Sequence, residues 1–340
     1  MSPPFFSIVV FTYNRASLLR DCIASILSQS FQDFELIVSD NCSIDNTEEV
    51  SRSFEDGRVR YFRNESNLGL RGNLEAGTSH AVGEIVFLMG DDDILLQGAL
   101  NLTWKAFQMH PEVGMVTRPY YWFMESPSQP VRAILPFNNN ADTIVTVDND
   151  HASIRALFET AGQISGLAFR RSLMRLAFHP DIFTTHLYLF ADMLKQRPVL
   201  MLKDYTVAVR IGESMCRHNP EIYEKSPTES WMEMFRTIYP EPRFNRVREY
   251  GTDMMAAHCE GFLQIRNYGT LRQLIREVLV QVKYRPRNLV SPRFLAYTLL
   301  CVVMPPRLLV PLTDFYKRHV LASRIRRSTK FVCEDRDLSQ

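Results

Sequence analysis

The sequence predicts an α/β fold with a parallel sheet in its amino-terminal part. Over the first hundred residues, apolar runs of β-strand composition alternate with stretches whose apolar residues recur at helical spacing. The segments between them are short, and such alternation is typical of βαβ units with right-handed crossovers. The 340 residues suffice for one large domain plus an extension.

Four strands and four helices are predicted before Pro111. The strands are FFSIVVFTY, FELIVSD, VRYFRN and EIVFLM. The helices lie in ASLLRDCIASILSQ, SIDNTEEVSRSF, NLGLRGNLEAGTSHA and ILLQGALNLTWKAF. The first has apolar residues at helical spacing, the second opens with capping residues, and the third begins in a glycine-bearing turn.

After Pro111 the pattern changes, and the sheet is expected to become mixed. VGMVTRPYYWFM and DTIVTV have strand composition without a helix between them. ISGLAFRRSLMRLAF predicts a strand followed by a helix, and THLYLFADMLKQR predicts a helix. PVLMLKDYTVAVRI predicts two short strands, and the chain from about Glu221 onward is predicted to be helical.

Charge is distributed unevenly along the chain, although the net charge is only +1. Residues 283–330 contain eleven Lys or Arg and a single acid, Asp314, so this segment carries +10 and the remainder −9. The six cysteines are scattered, which argues against a zinc site or a disulfide framework and fits a reducing cytosol. The amino terminus lacks the basic region of a signal peptide, so none is expected.

The basic tail, residues 286–340, combines short apolar stretches with scattered Arg and Lys. Its longest apolar run, Phe294 to Met304, has eleven residues, whereas a membrane span needs about 20. Such a segment is expected to lie in the interface of an anionic bilayer. The alternative is a pair of helices that pack on the main domain and expose a solvated basic face. Nucleic acid is not expected as a partner, because no recognition module is present.

Four polar stretches follow successive predicted strands: TYNR, SDNCSIDNT, NLGLRGN and GDDD. Parallel strands end at one edge of a sheet, where open α/β sheets bind their ligands. The combination suits a nucleotide diphosphate and a divalent metal. Asp40 can accept from a base N–H, Tyr13 can stack on the base, and Arg15 or Arg71 can meet phosphate. The acids Asp91, Asp92 and Asp93 can hold Mg²⁺ or Mn²⁺.

Each stretch alone has an ordinary structural alternative. TYNR could be a strand end and a turn, and SDNCSIDNT an Asx-rich turn with a helix cap. GDDD could be a solvated turn whose acids favour a helix amino terminus. The order and spacing of all four together favour a functional site.

In this order the motifs resemble those of the family 2 glycosyltransferases, inverting enzymes of the GT-A fold. The corresponding stretches are FTYNR, SDNCSIDNT, NLG, VGE and GDDDIL, and the resemblance extends over residues 5–110 and again over 160–215. Within the family the chain is similar to bacterial polysaccharide-assembly enzymes of the abequosyltransferase-like type. The resemblance implies a GT-A catalytic domain over 1–218, with a nucleotide-binding half (1–110) and an acceptor half (111–218). A helical extension over 219–285 and the tail would follow.

Several residues take on roles through this resemblance. Thr12, Tyr13 and Asp40 match nucleotide-contact positions, and Asp92 is in register with the metal-ligating acid, flanked by Asp91 and Asp93. The chain departs from the family pattern at three positions: Phe11 replaces a proline, Asn41 replaces a second acid, and Gly90 stands at the first acid of the D-x-D motif.

The acceptor half has fewer matching residues. Asp192, in YLFADMLKQRP, is the candidate general base, and its alternative is an ordinary acid on a helix surface. Gly166 lies in a stretch that resembles the segment beneath the acceptor sugar. Arg210 and Ser214 resemble a loop that approaches the diphosphate.

The resemblance implies transfer of a sugar from a nucleotide-diphosphate donor, with UDP favoured over CDP or dTDP. The acceptor would be a lipid-linked or polysaccharide hydroxyl in O-antigen or capsule synthesis, at the cytoplasmic face of a bacterial inner membrane. The alternatives are a nucleotidyltransferase and a catalytically silent nucleotide-sugar-binding protein. A dinucleotide-dependent oxidoreductase is not expected, because no G-x-G-x-x-G motif follows the first predicted strand. A processive polysaccharide synthase is not expected either, because it would need several membrane spans and the sequence predicts none.

Overall fold

The computed structural model describes residues 3–212, 217, 219–323 and 325 of the chain. The site residue predicted at Ser214 lies outside the described residues.

Two sheets are built from the strands of the described residues. The strands are β1 (Phe6–Thr12), β2 (Phe34–Asp40), β3 (Val59–Arg63), β4 (Ile85–Gly90), β5 (Ile94–Leu95), β6 (Met115–Thr117), β7 (Tyr121–Phe123), β8 (Pro130–Ala133), β9 (Thr143–Val145), β10 (Ala168–Arg170), β11 (Val199–Met201) and β12 (Val207–Arg210). The large sheet has the order β3-β2-β1-β4-β10-β6-β11-β9, and the small sheet has the order β5-β12-β7-β8.

Helices cover both faces of the large sheet and form the carboxyl-terminal region. They are α1 (Ala16–Leu27), α2 (Thr47–Arg52), α3 (Gly69–Ser79), α4 (Ala99–Met109), α5 (His151–Ala161), α6 (Leu187–Gln196), α7 (Pro227–Ile238), α8 (Asn245–Ala256), α9 (Gly261–Tyr268), α10 (Leu271–Tyr284), α11 (Pro292–Val303) and α12 (Pro306–Phe315). Short 3₁₀ turns and a final π-helical turn, Tyr316–Leu321, connect or follow them.

Strand register aligns the carboxyl ends of the central strands. β1 pairs in parallel with β2 and β4, and the pairs at this edge are Thr12 with Asp40 and Phe11 with Gly90. β10 runs antiparallel to both β4 and β6, so the predicted change to a mixed sheet is confirmed. Because the central strands end level with one another, the loops that follow them meet at one edge.

Apolar side chains on the two faces of the large sheet form separate cores. Val9 and Ile37 pack with Leu74 of α3 and with α5, α6 and α7 on one face. Ile8 and Val10 pack with α1 and α4 on the other face. The near-continuous apolar sequence of β1 and β4 follows from this burial on both sides.

Two helix predictions need correction. The helix predicted from Ile94 begins only at Ala99, after Gly98 with φ +80°, and Ile94–Leu95 pair with β12 instead. After β10 a 3₁₀ turn, Arg171–Leu173, replaces the predicted helix. Both segments have helical apolar spacing, so tertiary pairing and packing override the local pattern here.

The carboxyl-terminal helices form two groups. Phe235 of α7 and Val247 of α8 belong to the main core beside α5 and α6. Phe262, Leu274 and Phe294 belong to a separate cluster built from α9 to α12. No helix within the described ranges has both the length and the apolar character needed to cross a bilayer.

Candidate active site

The four polar stretches meet at the carboxyl edge of β1, β2 and β4. Arg15, the first residue before α1, reaches the acids that follow β4. Its Nη1 lies 3.3 Å from Asp91 Oδ1 and 3.1 Å from Asp92 Oδ2. Two carboxylates thus converge on one cationic nitrogen, which offsets part of their mutual repulsion.

Burial is the main cause of a raised pKa at Asp91. The charge of Asp92 raises this pKa further, whereas the charge of Arg15 lowers it. The pair therefore attracts positive charge at this point of the edge. Asp91 is buried, and Asp92 remains partly accessible.

Asp93 points away from this pair, into the protein. Its Oδ2 accepts hydrogen bonds from Ser165 Oγ and from Gln163 Nε2 (2.9 Å), and its Oδ1 accepts from the backbone N–H of Arg210 (2.9 Å). Burial, followed by the charge of Asp92, raises the pKa of the Asp93 carboxyl. Asp93 is 3% exposed with both oxygens engaged, so its predicted role as a metal ligand stays a prediction without support from its position. It connects the acid loop to β12 and to the turn before β10.

The glycine at position 90 has a steric explanation. A Cβ there would lie 3.2 Å from Ser165 Oγ and 3.3 Å from carboxylate oxygens of Asp92 and Asp93. An aspartate at this position would therefore crowd the acids that follow it. Asp91 and Asp92 are the acids left to meet a cation.

A divalent cation fits this geometry through two protein carboxylates. Asp91 and Asp92 already share a positive group, the guanidinium of Arg15, and carboxylate oxygens are the ligands that Mg²⁺ and Mn²⁺ prefer. Within the described ranges, no cluster of three or more His, Cys, Asp or Glu side chains is arranged to hold a metal. Mg²⁺ commonly binds through one or two carboxylates plus substrate phosphates, which matches this set.

The loops after β1 and β2 are joined by side chains that the sequence analysis did not single out. The backbone N–H of Asn14 donates to Ser43 Oγ (2.8 Å), and Asn14 Oδ1 accepts from the N–H of Ile44 (2.8 Å). Asp45 accepts from the N–H of Ala16 (3.0 Å) and so satisfies the amino terminus of α1. The sequence signal for this connection is the presence of Asn, Asp and Ser residues in both loops, because such side chains commonly bond to nearby backbone groups.

Asp40 is held rigidly at the end of β2. Its Oδ2 accepts from the Tyr61 hydroxyl (2.6 Å), and its Oδ1 accepts from the N–H of Ser43 (2.9 Å). Burial and the hydrogen bond to Asp40 raise the pKa of Tyr61, so the phenol stays a donor. Asp40 is 1% exposed with both oxygens engaged, so its predicted contact with a base stays a prediction without support from its position.

Asn41, where the family pattern has a second acid, connects β2 to the third loop. Its Nδ2 donates to Asn67 Oδ1 (2.8 Å), and its Oδ1 accepts from the N–H of Leu68 (2.8 Å). An ionised aspartate could accept but not donate. The amide therefore suits this connection.

The remaining predicted donor contacts lie at the same edge of the sheet. Thr12 is buried at the end of β1, and Tyr13 exposes its ring. Arg71, in the first turn of α3, pairs with Glu75 (3.0 Å) and stays half-exposed. Their nucleotide contacts stay predictions.

Arg210 is brought against the acid loop, and Gly166 lies in the turn before β10; their contacts with donor or acceptor stay predictions. Gly166 has φ +92°, and a Cβ there would lie 2.8 Å from Val207 Cγ2 and 2.9 Å from Arg118 Cδ. Only glycine tolerates both conditions. The Arg210 guanidinium donates to the Asp92 carbonyl oxygen (3.2 Å) and pairs with Asp21 (3.3 Å).

Arg118, which the sequence analysis did not single out, lies behind the Gly166 turn. Its Nη1 donates to Thr206 Oγ1 (2.9 Å), and its guanidinium lies over the Phe87 ring. Among the described residues, its Nε and Nη2 have no hydrogen-bond partner. Burial lowers the pKa of this guanidinium to about 9.

Asp192 lies in the second half of α6 and is not brought to the acid pair. Its Oδ2 accepts from Gln196 Nε2 (2.9 Å) one turn further along the helix. The helix leads into β11, whose first residue, Val199, pairs with Met115 at the start of β6. Because β6 and β4 run in the same direction, α6 ends at the edge opposite to Asp91 and Asp92. Its role as a general base stays a prediction without support from its position.

Comparison with protein families identifies part of the chain. Residues 7–170 match the model of "Glycosyl transferase family 2". A curated relative is the Campylobacter jejuni protein named GalNAc(5)-diNAcBac-PP-undecaprenol beta-1,3-glucosyltransferase. It is 44% identical over 101 residues, which are 29% of this chain and 33% of the relative. The chain therefore spans about a third of that relative.

Solved structures share the fold over most of the chain. S. aureus TarS 1-349 in complex with UDP-GlcNAc matches with a TM-score of 0.62 and 15% identity, covering 99% of this chain and 95% of that one. The Pyrobaculum calidifontis mannosyltransferase PcManGT with GDP-Man and Mn²⁺ matches with a TM-score of 0.53 and 16% identity, over 88% and 86% of the chains. The GT-A fold with a helical carboxyl-terminal region, predicted from the sequence, is confirmed.

Proposed function

We propose that this chain is a metal-dependent inverting glycosyltransferase, because residues 7–170 match the model of glycosyl transferase family 2. It takes a sugar from a nucleotide-diphosphate donor, with UDP as the expected nucleotide. It transfers the sugar to a hydroxyl of a lipid-linked or polysaccharide acceptor during bacterial surface-glycan synthesis.

The observation that carries this proposal is the convergence of Asp91 and Asp92 on one positive group at the strand edge. Three neighbouring acids follow a buried strand, and two of them face the same point while the third anchors the loop. The site would hold Mn²⁺ or Mg²⁺ through Asp91 and Asp92. When bound, the ion would neutralise charge that grows on the leaving diphosphate.

The donor nucleotide would lie across the loops after β1 and β2. Tyr13 offers an exposed ring for stacking on the base. Asp40, which is 1% exposed at the end of β2, is the residue proposed from the sequence to accept from a base N–H. Uracil has an N–H at the position where cytosine has only an acceptor, so this pairing supports UDP over CDP. Arg71 and Arg210 are the residues proposed to supply positive charge to the diphosphate, and Arg210 already contacts the Asp92 carbonyl oxygen.

Transfer also needs a base that removes the acceptor proton as the oxygen attacks the anomeric carbon. Asp192 is the residue proposed for this role from the sequence. The Asp192→Asn variant tests it, because it keeps the helix and removes the basic group. Loss of transfer with donor binding retained would support the role. Undiminished transfer would leave Asp192 as a partner of Gln196 within α6.

The acceptor and the location form the second part of the proposal. The C. jejuni relative is named for a substrate joined to undecaprenol through a diphosphate, which supports a lipid-linked acceptor here. An acceptor of this kind resides in a membrane. The basic tail supports a peripheral position at the cytoplasmic face of the inner membrane.

A thermal-shift screen of nucleotide sugars, each with and without Mn²⁺, tests the proposal. A ligand that binds the folded state raises Tm, and a metal-dependent rise with one UDP-sugar is the expected result. Transfer of that sugar to an undecaprenyl-diphosphate-linked saccharide is then measured by chromatography. Binding without transfer would favour a catalytically silent nucleotide-sugar-binding protein. No stabilisation by any nucleotide sugar would overturn the proposal.

A further inference from the structure

We propose that the outward faces of α10, α11 and α12 together form a docking surface for an anionic lipid bilayer. We call these three helices the apolar platform. The inference deepens the membrane location proposed above and extends it to α10, which precedes the basic tail.

Large apolar side chains are exposed mainly on this part of the molecule. Of the 21 exposed large apolar residues within the described ranges, 13 lie between Leu271 and Tyr316. On the three helices they are Leu271, Ile275 and Leu279 on α10, Leu295, Leu299, Val302 and Val303 on α11, and Leu308, Leu312 and Phe315 on α12. Each set recurs at three- or four-residue spacing, so each helix presents an apolar stripe to the outside.

These stripes are separate from the residues that hold the helices together. Leu274, Phe294 and Leu309 point inward, where they pack in the cluster around α9 and are almost fully buried. The helices are therefore apolar on two sides, one of which is already used for folding. A second apolar side that stays in water marks an interaction site.

Charge indicates which partner covers the platform. Residues 278–313 contain five Lys or Arg and no Asp or Glu. Within the described part of the chain, Arg272 on α10 and Arg307 on α12 make no ion pair with an acid, and both are exposed. Of the five, Lys283, Arg285, Arg287 and Arg293 pair with acids of neighbouring elements, and Arg307 does not. Apolar stripes beside the exposed Arg272 and Arg307 match the headgroup region of an anionic leaflet, which attracts basic residues.

A second copy of the chain fits this surface poorly. In a twofold dimer the same patch meets itself, so Arg272 and Arg307 of one copy would be brought towards the same arginines of the other copy. The remaining basic residues keep their acid partners within each copy. Like charges at such a distance are unfavourable. An anionic bilayer supplies the missing negative charge.

The platform is tied to the catalytic part of the molecule. The π-helical turn after α12 packs on β8, and Arg318 pairs with Glu125 beside β7 (3.1 Å). β7 pairs with β12, whose last residue, Arg210, bonds to the acid loop. A platform lying on a bilayer would therefore hold the active site at a fixed height above the headgroups.

Vesicle sedimentation of the full chain tests the inference. We expect binding to vesicles of phosphatidylcholine and phosphatidylglycerol in equal amounts, and weak binding to phosphatidylcholine alone. The double variant Ile275→Glu with Leu279→Glu, on α10, should weaken binding about tenfold or more, as should Leu299→Glu with Val303→Glu on α11. Arg307→Gln should weaken it about fivefold.

The matched control is Met109→Glu with Leu135→Glu, which places the same charges at exposed apolar positions elsewhere. This control should sediment like the wild type. Equal binding of the α10 variant would remove α10 from the docking surface and overturn the inference. The inference would also be overturned if the wild type did not bind anionic vesicles, or if the substitutions converted a dimer into a monomer in gel filtration. UDP-induced stabilisation is recorded for every variant, so that failed docking is distinguished from a failed proposed function.

Discussion

The backbone N–H of Arg210 donates to Asp93 Oδ1 at 2.9 Å, although 117 residues separate the two positions. The bond joins the end of β12 to the loop after β4. Ser165 and Gln163 hold the other oxygen of the same carboxylate. Asp91 and Asp92 thus project from a loop that Asp93 fixes in place. Of the three neighbouring aspartates, two face Arg15 at the candidate site and one anchors the loop.

Asp93→Asn should lower stability rather than act on catalysis alone. An amide has one acceptor atom, so its NH₂ group would face either the N–H of Arg210 or the donors at Oδ2. A mispaired buried donor costs about 1–3 kcal/mol in the free energy of unfolding. Urea denaturation followed by circular dichroism measures the loss. An unchanged midpoint would mean that Asp93 does not anchor the loop.

Asp92→Asn should reduce sugar transfer and leave the stability of the fold nearly unchanged. Asp92 Oδ2 faces Arg15 on the partly accessible side of the loop, so the midpoint of unfolding should stay close to that of the wild type. Loss of the carboxylate should cut metal-dependent transfer by at least about a hundredfold. The added stabilisation by Mn²⁺ with UDP should disappear as well. Undiminished transfer would rule out Asp92 as a metal-binding residue.

The position of the acids was predictable from the sequence, but the direction of each side chain was not. A buried strand followed by Asp91 and Asp92 places them at the sheet edge, because parallel strands end there. Asp93 turns inward because of Ser165 and Arg210, which are distant in sequence. A local pattern contains no information on such partners.

Secondary structure also shows the difference between features that the local sequence predicts and features that depend on residues distant in sequence. Ile94 and Leu95 continue the apolar spacing of α4, yet they pair with β12, a contact that no local pattern reveals. The helix α5 was missed although its signals are local. Asp150 caps it by accepting from the N–H of Ser153, and Ile154, Leu157 and Phe158 are buried at helical spacing.

Tyr61→Phe should weaken binding of the donor nucleotide. The Tyr61 hydroxyl holds Asp40 Oδ2 at 2.6 Å, and a hydrogen bond to a charged group contributes about 1.5–3 kcal/mol. We expect the Kd for UDP to rise about tenfold as Asp40 loses its fixed orientation. Isothermal titration calorimetry measures the change. Tyr239→Phe, which removes a buried hydroxyl bonded to Ala191 in α6, is the control and should leave Kd unchanged.

His186 should make stability depend on pH between about 6.5 and 4. It is buried before α6 with its Nε2 bonded to the Ala161 carbonyl (2.9 Å), and burial lowers its pKa to about 4. The unfolded chain binds the proton near pH 6.5, well before the folded state does, so stability falls as pH drops through this window. The expected loss is about 3 kcal/mol.

The His186→Gln variant isolates this effect. It cannot take up a proton, so the difference in unfolding free energy between the wild type and the variant should shrink as pH falls from 6.5 to 4. His110→Gln, an exposed histidine beside Glu112, is the control and should follow the wild type. Parallel curves for His186→Gln and the wild type would contradict the assignment.

Arg118→Met should leave the protein as stable as the wild type or more stable. Arg118 is 2% exposed, and the described residues offer no partner to its Nε and Nη2. Its pKa of about 9 means that folding disfavours the charged form. Replacing a buried charge with an apolar side chain of similar length commonly stabilises by about 1–4 kcal/mol.

This cost of the wild-type arginine is fully present below pH 9 and declines as pH rises above it, so the advantage of the variant should shrink in alkali. A variant that is more stable but slower in transfer would mean that the chain keeps the guanidinium behind the Gly166 turn for its activity. A large fall in the urea midpoint at neutral pH would instead make Arg118 a structural support between Thr206 and Phe87.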